Sequence, residues 1–282
     1  MRKKIIPILG LGILLLFSLG ADLPAREGQW SVFGYFSYAN GNYYLTETTR
    51  SYYVAGGFRY RTLKWNVSFS LPWIIQNSNL VQRTGSVYFP MGPEAGSEGA
   101  QNWPMGMGSW GRHRNFQPPT SHYITGIGDL YGYASYQLRG GEFATFFVTA
   151  NAQLKVPTAR RDFGTGEWDY GGSLTFQKIF NGHFSGSLEL GYLVIGDPDS
   201  IRLMDPVFGT ATATWFFSSS LSMSLYYLWY STIQEGIRPP RYINLATYIQ
   251  LTERVSLVAT LGRGLTRASA NITFFTSLEL TL

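Results

Sequence analysis

Ser220-Leu221-Ser222-Met223-Ser224-Leu225-Tyr226-Tyr227-Leu228-Trp229-Tyr230 sets Leu221, Met223, Leu225, Tyr227 and Trp229 on one face, and Ser222, Ser224 and Tyr226 on the other. A two-residue alternation is the mark of a β-strand whose faces meet different surroundings, because successive Cβ atoms point to opposite sides of the pleat. The less apolar face is the unusual one. A soluble strand shows water Lys and Glu, whereas this one offers hydroxyls and a phenol. The apolar face is the larger and ends in tryptophan, as expected of a surface that meets lipid and finishes at its interface.

The same period runs outward in both directions. Phe143 to Val156 sets Ala144, Phe146, Val148, Ala150, Ala152, Leu154 and Val156 against Thr145, Phe147, Thr149, Asn151, Gln153 and Lys155. Asn271 to Leu282 sets Ile272, Phe274, Leu278, Leu280 and Leu282 against Thr273, Ser277 and Glu279. Extending the pattern predicts about twelve strands, near 30–39, 50–61, 64–74, 123–138, 143–156, 168–179, 184–195, 206–217, 220–231, 241–251, 254–263 and 270–282. Tight turns at Thr62-Leu63, Arg139 to Glu142, Phe180-Asn181-Gly182-His183, Ser218-Ser219 and Thr252-Glu253 alternate with longer connectors. Asn181-Gly182 suits a type I′ turn. Tyr52, Tyr60, Trp65, Trp73, Trp168, Tyr170, Tyr192, Trp215, Tyr227 and Trp229 bracket the apolar faces. The fold expected is all-β: one transmembrane, antiparallel, up-and-down barrel with short turns on the periplasmic side. A soluble sandwich or lipocalin-like barrel is the competitor, and the hydroxyl-rich polar faces and aromatic brackets count against it.

Composition agrees. Aromatic residues make up 16% of the chain and charged residues only 14%, against about 25% charged in typical soluble domains. Met1-Arg2-Lys3-Lys4, the apolar run Ile5 to Phe17 and Ser18-Leu19-Gly20-Ala21 form the basic, apolar and small-residue regions of a signal peptide. We expect residues 1–20 to be that peptide, with cleavage after Gly20 or alternatively at Ala21 or Ala25, and 21–282 to be the barrel. Without Arg2, Lys3 and Lys4 the 22 basic residues fall to 19 against 17 acidic, and no basic stripe suggests nucleic acid. The sequence has no cysteine, which excludes disulfides, thiolate metal sites and a lipoprotein anchor.

Parity assigns Tyr53, Arg59, Arg61, Asp129, Tyr131, Tyr133, Lys155, Asp169, Glu189, Tyr226, Tyr248 and Glu279 to the lumen. Eight strands make a filled barrel and sixteen or more an open channel, so twelve imply a narrow or plugged bore. The solute pathway is assigned to Arg59, Asp129, Tyr131, Tyr133, Lys155, Glu189, Tyr226 and Tyr248, whose rings and hydroxyls suit amphipathic or aromatic solutes. A plainer reading makes Arg59, Asp129, Lys155 and Glu189 buried pairs that brace the wall. The longest connector, 76–122, carries Trp103, Met105, Met107 and Trp110. It reads as an inward lid, as a surface loop, or, through Met105, Met107, His113 and His122, as a soft-metal site. An outer-membrane lipid hydrolase would need a His and a Ser together on the outer face. His183-Phe184-Ser185 has the spacing but starts at a periplasmic turn in the inward register, so neither catalysis nor a cofactor is expected.

Gly126-Ile127-Gly128-Asp129-Leu130, Tyr133-Ala134-Ser135-Tyr136-Gln137-Leu138, Leu154-Lys155-Val156-Pro157-Thr158 and Gly164-Thr165-Gly166-Glu167-Trp168-Asp169-Tyr170 resemble the MetA-pathway phenol degradation family of outer-membrane proteins. The similarity spans roughly 50 to 280. The family usually has Pro-Thr-Gly where this chain has Pro157-Thr158-Ala159. The resemblance implies a barrel that transports aromatic or other hydrophobic compounds, with Asp129 facing inward near the extracellular side, close to Lys155 or Arg160.

The function expected is an outer-membrane channel for small hydrophobic or aromatic solutes through a narrow gated lumen. A structural or adhesive barrel is the alternative, and a lipid hydrolase a more distant one. The partners expected are outer-membrane lipid, the solute, and the assembly machinery that reads the final strand, here ending in Leu282 rather than an aromatic residue.

Overall fold

The computed structural model describes residues 28–45, 48–78, 81–84, 87–90, 122–141, 144–159, 163–197 and 202–282. All regular structure among them is β. The strands are β1 (Gln29–Gly41), β2 (Thr49–Arg61), β3 (Trp65–Gln76), β4 (Val81–Thr84), β5 (Val87–Pro90), β6 (Ile124–Ile127), β7 (Leu130–Arg139), β8 (Phe146–Val156), β9 (Asp169–Asn181), β10 (Phe184–Ile195), β11 (Val207–Phe216), β12 (Leu221–Tyr230), β13 (Arg241–Gln250), β14 (Val255–Gly264) and β15 (Ile272–Thr281). Each pairs antiparallel with its chain neighbour around the wall, and β1 closes the ring on β15 in a register running from Ser31↔Thr281 to Asn40↔Ile272. β6 and β7 form one interrupted stave, and β4–β5 is a separate hairpin, so the wall is the twelve-stranded barrel expected. The predicted signal peptide, and Trp103, Met105, Met107 and Trp110, lie outside the described residues.

Alternation along each stave follows the sequence. In β12, Ser222, Ser224 and Tyr226 are buried while Leu221 and Leu225 are exposed. In β8 the buried positions are Phe147, Thr149, Asn151 and Lys155. Exposed apolar residues form a continuous outer belt in which Leu225, Leu245 and Leu261 sit abreast on β12, β13 and β14. Ten-residue strands rising about 3.3 Å per residue and tilted about 40° span roughly 25 Å, the height of a hydrocarbon band.

Two aromatic girdles bound that belt. On the short-turn side Trp30 packs on Tyr60 at 4.9 Å between ring centroids, Trp65 on Tyr136 at 4.6 Å, and Phe184 on both Phe180 and Trp215. On the long-loop side Trp73, Trp168, Tyr170 and Tyr192 project outward. The free ends of β1 and β15 and the short turns lie at one end of the wall; in transmembrane barrels such an end is periplasmic and the long-loop end extracellular, and the two ends are labelled accordingly.

Two local features differ from the sequence reading. The stave expected over 123–138 carries a bulge: Ser70 pairs with Tyr131 and Trp73 with Ile127, so Leu71-Pro72 oppose Gly128-Asp129-Leu130. Pro72 has no N–H to give its neighbour, which confines it to such an irregularity. Its carbonyl accepts from Gly128 N at 2.8 Å, and the displaced Leu130 N finds Thr158 Oγ1 at 2.9 Å. The Asn181-Gly182 turn is not type I′, because neither residue has positive φ. His183 N instead donates to Asn181 Oδ1 at 2.9 Å, and the extra residue is absorbed as an irregularity at Phe184/Ser185.

The outer belt yields a test. Leu245→Arg puts a charge at mid-height on the lipid face, where the cost is about 2–4 kcal/mol, and the barrel should unfold in vesicles at a clearly lower urea concentration. Ser224→Ala, which faces the lumen, should shift the transition far less.

Candidate functional site

The lumen is organised in three levels. At the extracellular rim the end of β8 presents Lys155, whose Nζ lies 2.7 Å from Asp169 Oδ2 on β9, 3.9 Å from Asp129 Oδ2 and 2.7 Å from Thr165 Oγ1. Asp129 Oδ1 accepts from Ala159 N at 3.0 Å, and Asp169 Oδ1 from Gly196 N at 3.2 Å. The Gly164-Thr165-Gly166 stretch acquires a physical reason here. A Cβ on Gly164 would come within 2.7 Å of Asp129 Oδ2, and Gly166 holds φ +80, which only glycine adopts at little cost. Thr165 between them reaches the lysine. Pro157-Thr158 serves the same cluster, since Thr158 caps the bulge while Ala159 binds Asp129. Ala159 supplies a backbone N–H, so the missing glycine of the Pro-Thr-Gly pattern costs the contact nothing. Asp129 therefore meets Lys155 on the adjacent stave, and Arg160 lies outside the described residues.

At mid-height the β4–β5 hairpin lies inside the barrel. The β4–β5 part of the 76–122 connector is thus folded inward, while the lid residues Trp103, Met105, Met107 and Trp110 lie outside the described residues. Arg83 places its guanidinium 5.9 Å from the ring centroid of Tyr35, 5.5 Å from Tyr53 and 5.6 Å from Tyr131, three inward residues of β1, β2 and β7. Tyr131 Oη donates to the Arg83 carbonyl at 3.2 Å. Tyr88 Oη meets Ser37 Oγ at 3.1 Å and its ring stands edge-on to Tyr53 at 5.6 Å, while Val81 is fully buried. The hairpin is held by cation–π, hydroxyl and apolar contacts to three staves at once.

Beside the hairpin is a cavity of about 90 Å³, where roughly 10–15 Å³ suffices for one water. Phe33, Tyr35, Tyr133, Tyr226, Tyr242 and Phe275 supply its aromatic lining, and Ser68, Ser70, Gln153, Asn244 and Thr260 its polar points. Tyr133 and Tyr226 were assigned to the solute pathway from parity alone. Glu189, on the wall away from the rings, accepts from Ser173 Oγ at 2.6 Å. Among the described residues it forms no ion pair, unlike the paired role that the bracing interpretation gave it.

The periplasmic level is closed by Arg59, which is fully buried and ion-paired to Glu279 Oε2. Arg61 Nη2 approaches Glu279 Oε1 at 3.6 Å, Ser31 Oγ donates to the same oxygen at 2.7 Å, and Arg59 lies over the Phe33 ring at 5.1 Å. Tyr248 sits at this level, bonded to Gln250. All eight residues assigned to the solute pathway therefore face inward, but they do not form one site. They divide among the rim (Asp129, Lys155), the hairpin contact (Tyr131), the cavity (Tyr133, Tyr226), the periplasmic level (Arg59, Tyr248) and the middle of β10 (Glu189). Arg83 and Tyr88 were missed, because four-residue strands inside a Gly- and Pro-rich connector carry too little alternation to register.

His183 and Ser185 engage separate partners: His183 Nδ1 lies 3.3 Å from the Phe216 carbonyl, and Ser185 Oγ accepts from Gln177 at 3.5 Å.

The closed twelve-stave wall with aromatic girdles and a side-chain-lined lumen defines a transmembrane β-barrel of outer-membrane type. Among solved structures the chain is similar to the NanC porin, with a TM-score of 0.52 at 8% identity, covering 90% of this chain and 100% of that one. The KdgM porin aligns with a TM-score of 0.49 at 7% identity over 89% and 99% of the two chains, and the Pseudomonas putida toluene transporter TodX with 0.43 at 10% over 94% and 91%. The NanC likeness shows the shared fold. No family model and no curated protein sequence matches the chain, so the resemblance to the MetA-pathway phenol degradation family is not confirmed.

The lower ion pair gives a test by double-mutant cycle. Arg59→Met leaves the Glu279 carboxylate to Ser31 and the more distant Arg61 and should destabilise the barrel by about 1–3 kcal/mol in denaturant titration, less than the loss of a sole partner would. Arg59→Met combined with Glu279→Met should recover most of that loss.

Proposed function

We propose that the protein is an outer-membrane channel that admits small hydrophobic or aromatic solutes through a narrow lumen gated by the β4–β5 hairpin. The observation that carries this reading is the aromatic cavity lying directly against that hairpin, with Arg83 and Tyr88 in its lining. Twelve strands about 4.8 Å apart, tilted about 40°, enclose a backbone cylinder of roughly 24 Å diameter. Side chains from the walls reduce the bore to about half of that, which a two-stranded hairpin can fill. A ring compound entering the cavity would stack on Tyr133, Tyr226 or Phe275 while its polar substituent meets Asn244 or Thr260.

Each cation–π contact to Arg83 contributes about 0.5–2 kcal/mol, so the three together hold the hairpin by a few kcal/mol. That is a barrier one solute's binding energy can offset, and it makes the closed state a population rather than a fixed wall. The rim cluster of Lys155, Asp169 and Asp129 braces the mouth of the same passage.

Planar-bilayer recording separates this reading from a structural or adhesive barrel. Deleting Val81–Pro90 should raise single-channel conductance several-fold, with Arg83→Ala giving more frequent openings. Millimolar benzyl alcohol should block the deletion variant's current, glucose at equal concentration should not, and Tyr133→Ala with Tyr226→Ala should weaken the block about tenfold. Absence of current in both the parent and the deletion variant would refute transport. Asp129→Asn should lower the temperature at which the barrel loses its fast electrophoretic mobility and add current noise; if both stay at parent values, the rim does not brace the passage.

A further inference from the structure

The outer face of the staves holds a charge pattern that the lumen does not explain. Among the described residues no Asp or Glu side chain faces outward on any stave, since Asp169, Glu189 and Glu279 all point inward. The outward charges are basic. Arg139 and Lys178 sit at the periplasmic end, and Arg50, Arg241 and Arg263 at the extracellular end. Arg139 lies over the Phe146 ring at 5.5 Å and Arg50 is hydrogen-bonded by Tyr123. Arg241 and Arg263 are exposed, and among the described residues neither forms an ion pair.

These two are neighbours. Arg263 on β14 stands opposite Ile243 on β13, two residues from Arg241 on the same face. Diagonal positions of this kind place Cβ atoms about 7–8 Å apart, within reach of one group held between two guanidinium forks. The scaffold beneath is fixed. Ser269 Oγ accepts from Arg241 N at 2.9 Å and donates back to the Arg241 carbonyl, Leu265 N donates to that carbonyl at 2.8 Å, and Thr266 Oγ1 ties the two loops together at the Pro239 carbonyl. Arg238 and Arg267 lie on those loops, whose one carboxylate is Glu235. Below the pair the face turns apolar through Ile243, Leu245 and Leu261, while Ile272 stands beside Arg263 and Trp229 beside Arg241.

We propose that Arg241 and Arg263 bind a phosphate of an anionic lipid in the extracellular leaflet. The guanidinium fork matches phosphate oxygens in a bidentate manner that a lysine cannot reproduce. Two forks at the edge of the belt meet the headgroup where it lies, while the apolar strip beneath them meets its acyl chains. Snorkelling would explain single long cations at an interface, but not two adjacent arginines on a face that carries no carboxylate on any described stave. The site is independent of whether the lumen conducts.

Native mass spectrometry of the full barrel in detergent, titrated with hexa-acylated diphosphoryl glucosamine disaccharide lipid and with phosphatidylcholine, provides the test. The phosphorylated lipid should bind in preference. Arg241→Gln with Arg263→Gln should weaken it at least tenfold, Arg241→Lys with Arg263→Lys should weaken it less, and Arg254→Gln at a periplasmic turn should leave it unchanged. Heat-modifiable mobility verifies that each variant is folded, and the lysine pair keeps the charge if the glutamine pair fails to assemble. Parent affinity in both paired variants, or an equal loss in Arg254→Gln, would overturn the assignment. Displacement of the lipid by millimolar inorganic phosphate would overturn the lipid in favour of a free anion.

Discussion

Inside a bilayer no water is at hand for an unpaired backbone N–H or C=O, so every strand must have a neighbour on both sides. The ladder between β1 and β15 meets that demand for the whole wall, because it removes the last two edges. Ten consecutive residue pairs join the first strand to the last, and the register they fix determines which side chains share a level of the lumen. Arg59 and Glu279, 220 positions apart in sequence, meet because β2, β1 and β15 stand side by side. The rim answers the same demand locally. Where Pro72 interrupts the ladder, a loop hydroxyl, Thr158 Oγ1, takes the orphaned Leu130 N–H, and the loop that brings it also delivers Ala159 to Asp129 and Thr165 to Lys155. A backbone requirement and a charged cluster are thus met by one connector.

Much of this was legible in the sequence. The two-residue period, the hydroxyl-rich inner faces and the aromatic brackets identified the barrel, and the alternation of short and long connectors gave its strand number and direction. Parity placed Lys155, Glu189, Tyr133 and Tyr226 inside, because alternation decides facing without knowledge of any partner. Most partners were not legible, the nearness of Asp129 to Lys155 coming from the family resemblance and not from the pattern. Lys155 and Asp169 stand at the two ends of a loop whose span cannot be read from composition, and Glu279 reaches Arg59 only through ring closure. The bulge at Gly128-Asp129 was hidden because the apolar pattern of β6 and β7 continues on both sides of it. Arg83 was hidden because nothing local distinguishes an arginine that will be surrounded by rings from one that will be solvated.

The distribution of charge inside and out obeys one rule. Each acidic side chain on the wall faces inward, where a lysine, an arginine or a hydroxyl meets it. Among the described staves the outward face keeps no carboxylate and admits cations only at its two margins. Phe33 joins the levels within the lumen, lying beneath the Arg59 guanidinium while also lining the aromatic cavity, so the periplasmic ion pair and the cavity share a wall.

The position of the hairpin in the chain carries a further consequence for assembly. β4–β5 is inserted between β3 and the β6–β7 stave, which are adjacent in the wall, so the strands on either side of it in the chain meet the same, long-loop rim. The β4–β5 ladder is separate from the ladder of the wall. The barrel can therefore close first and receive the hairpin afterwards, or release it later, without breaking a single rung between staves. For the gate proposed above, withdrawal toward that one rim need not disturb the wall around it.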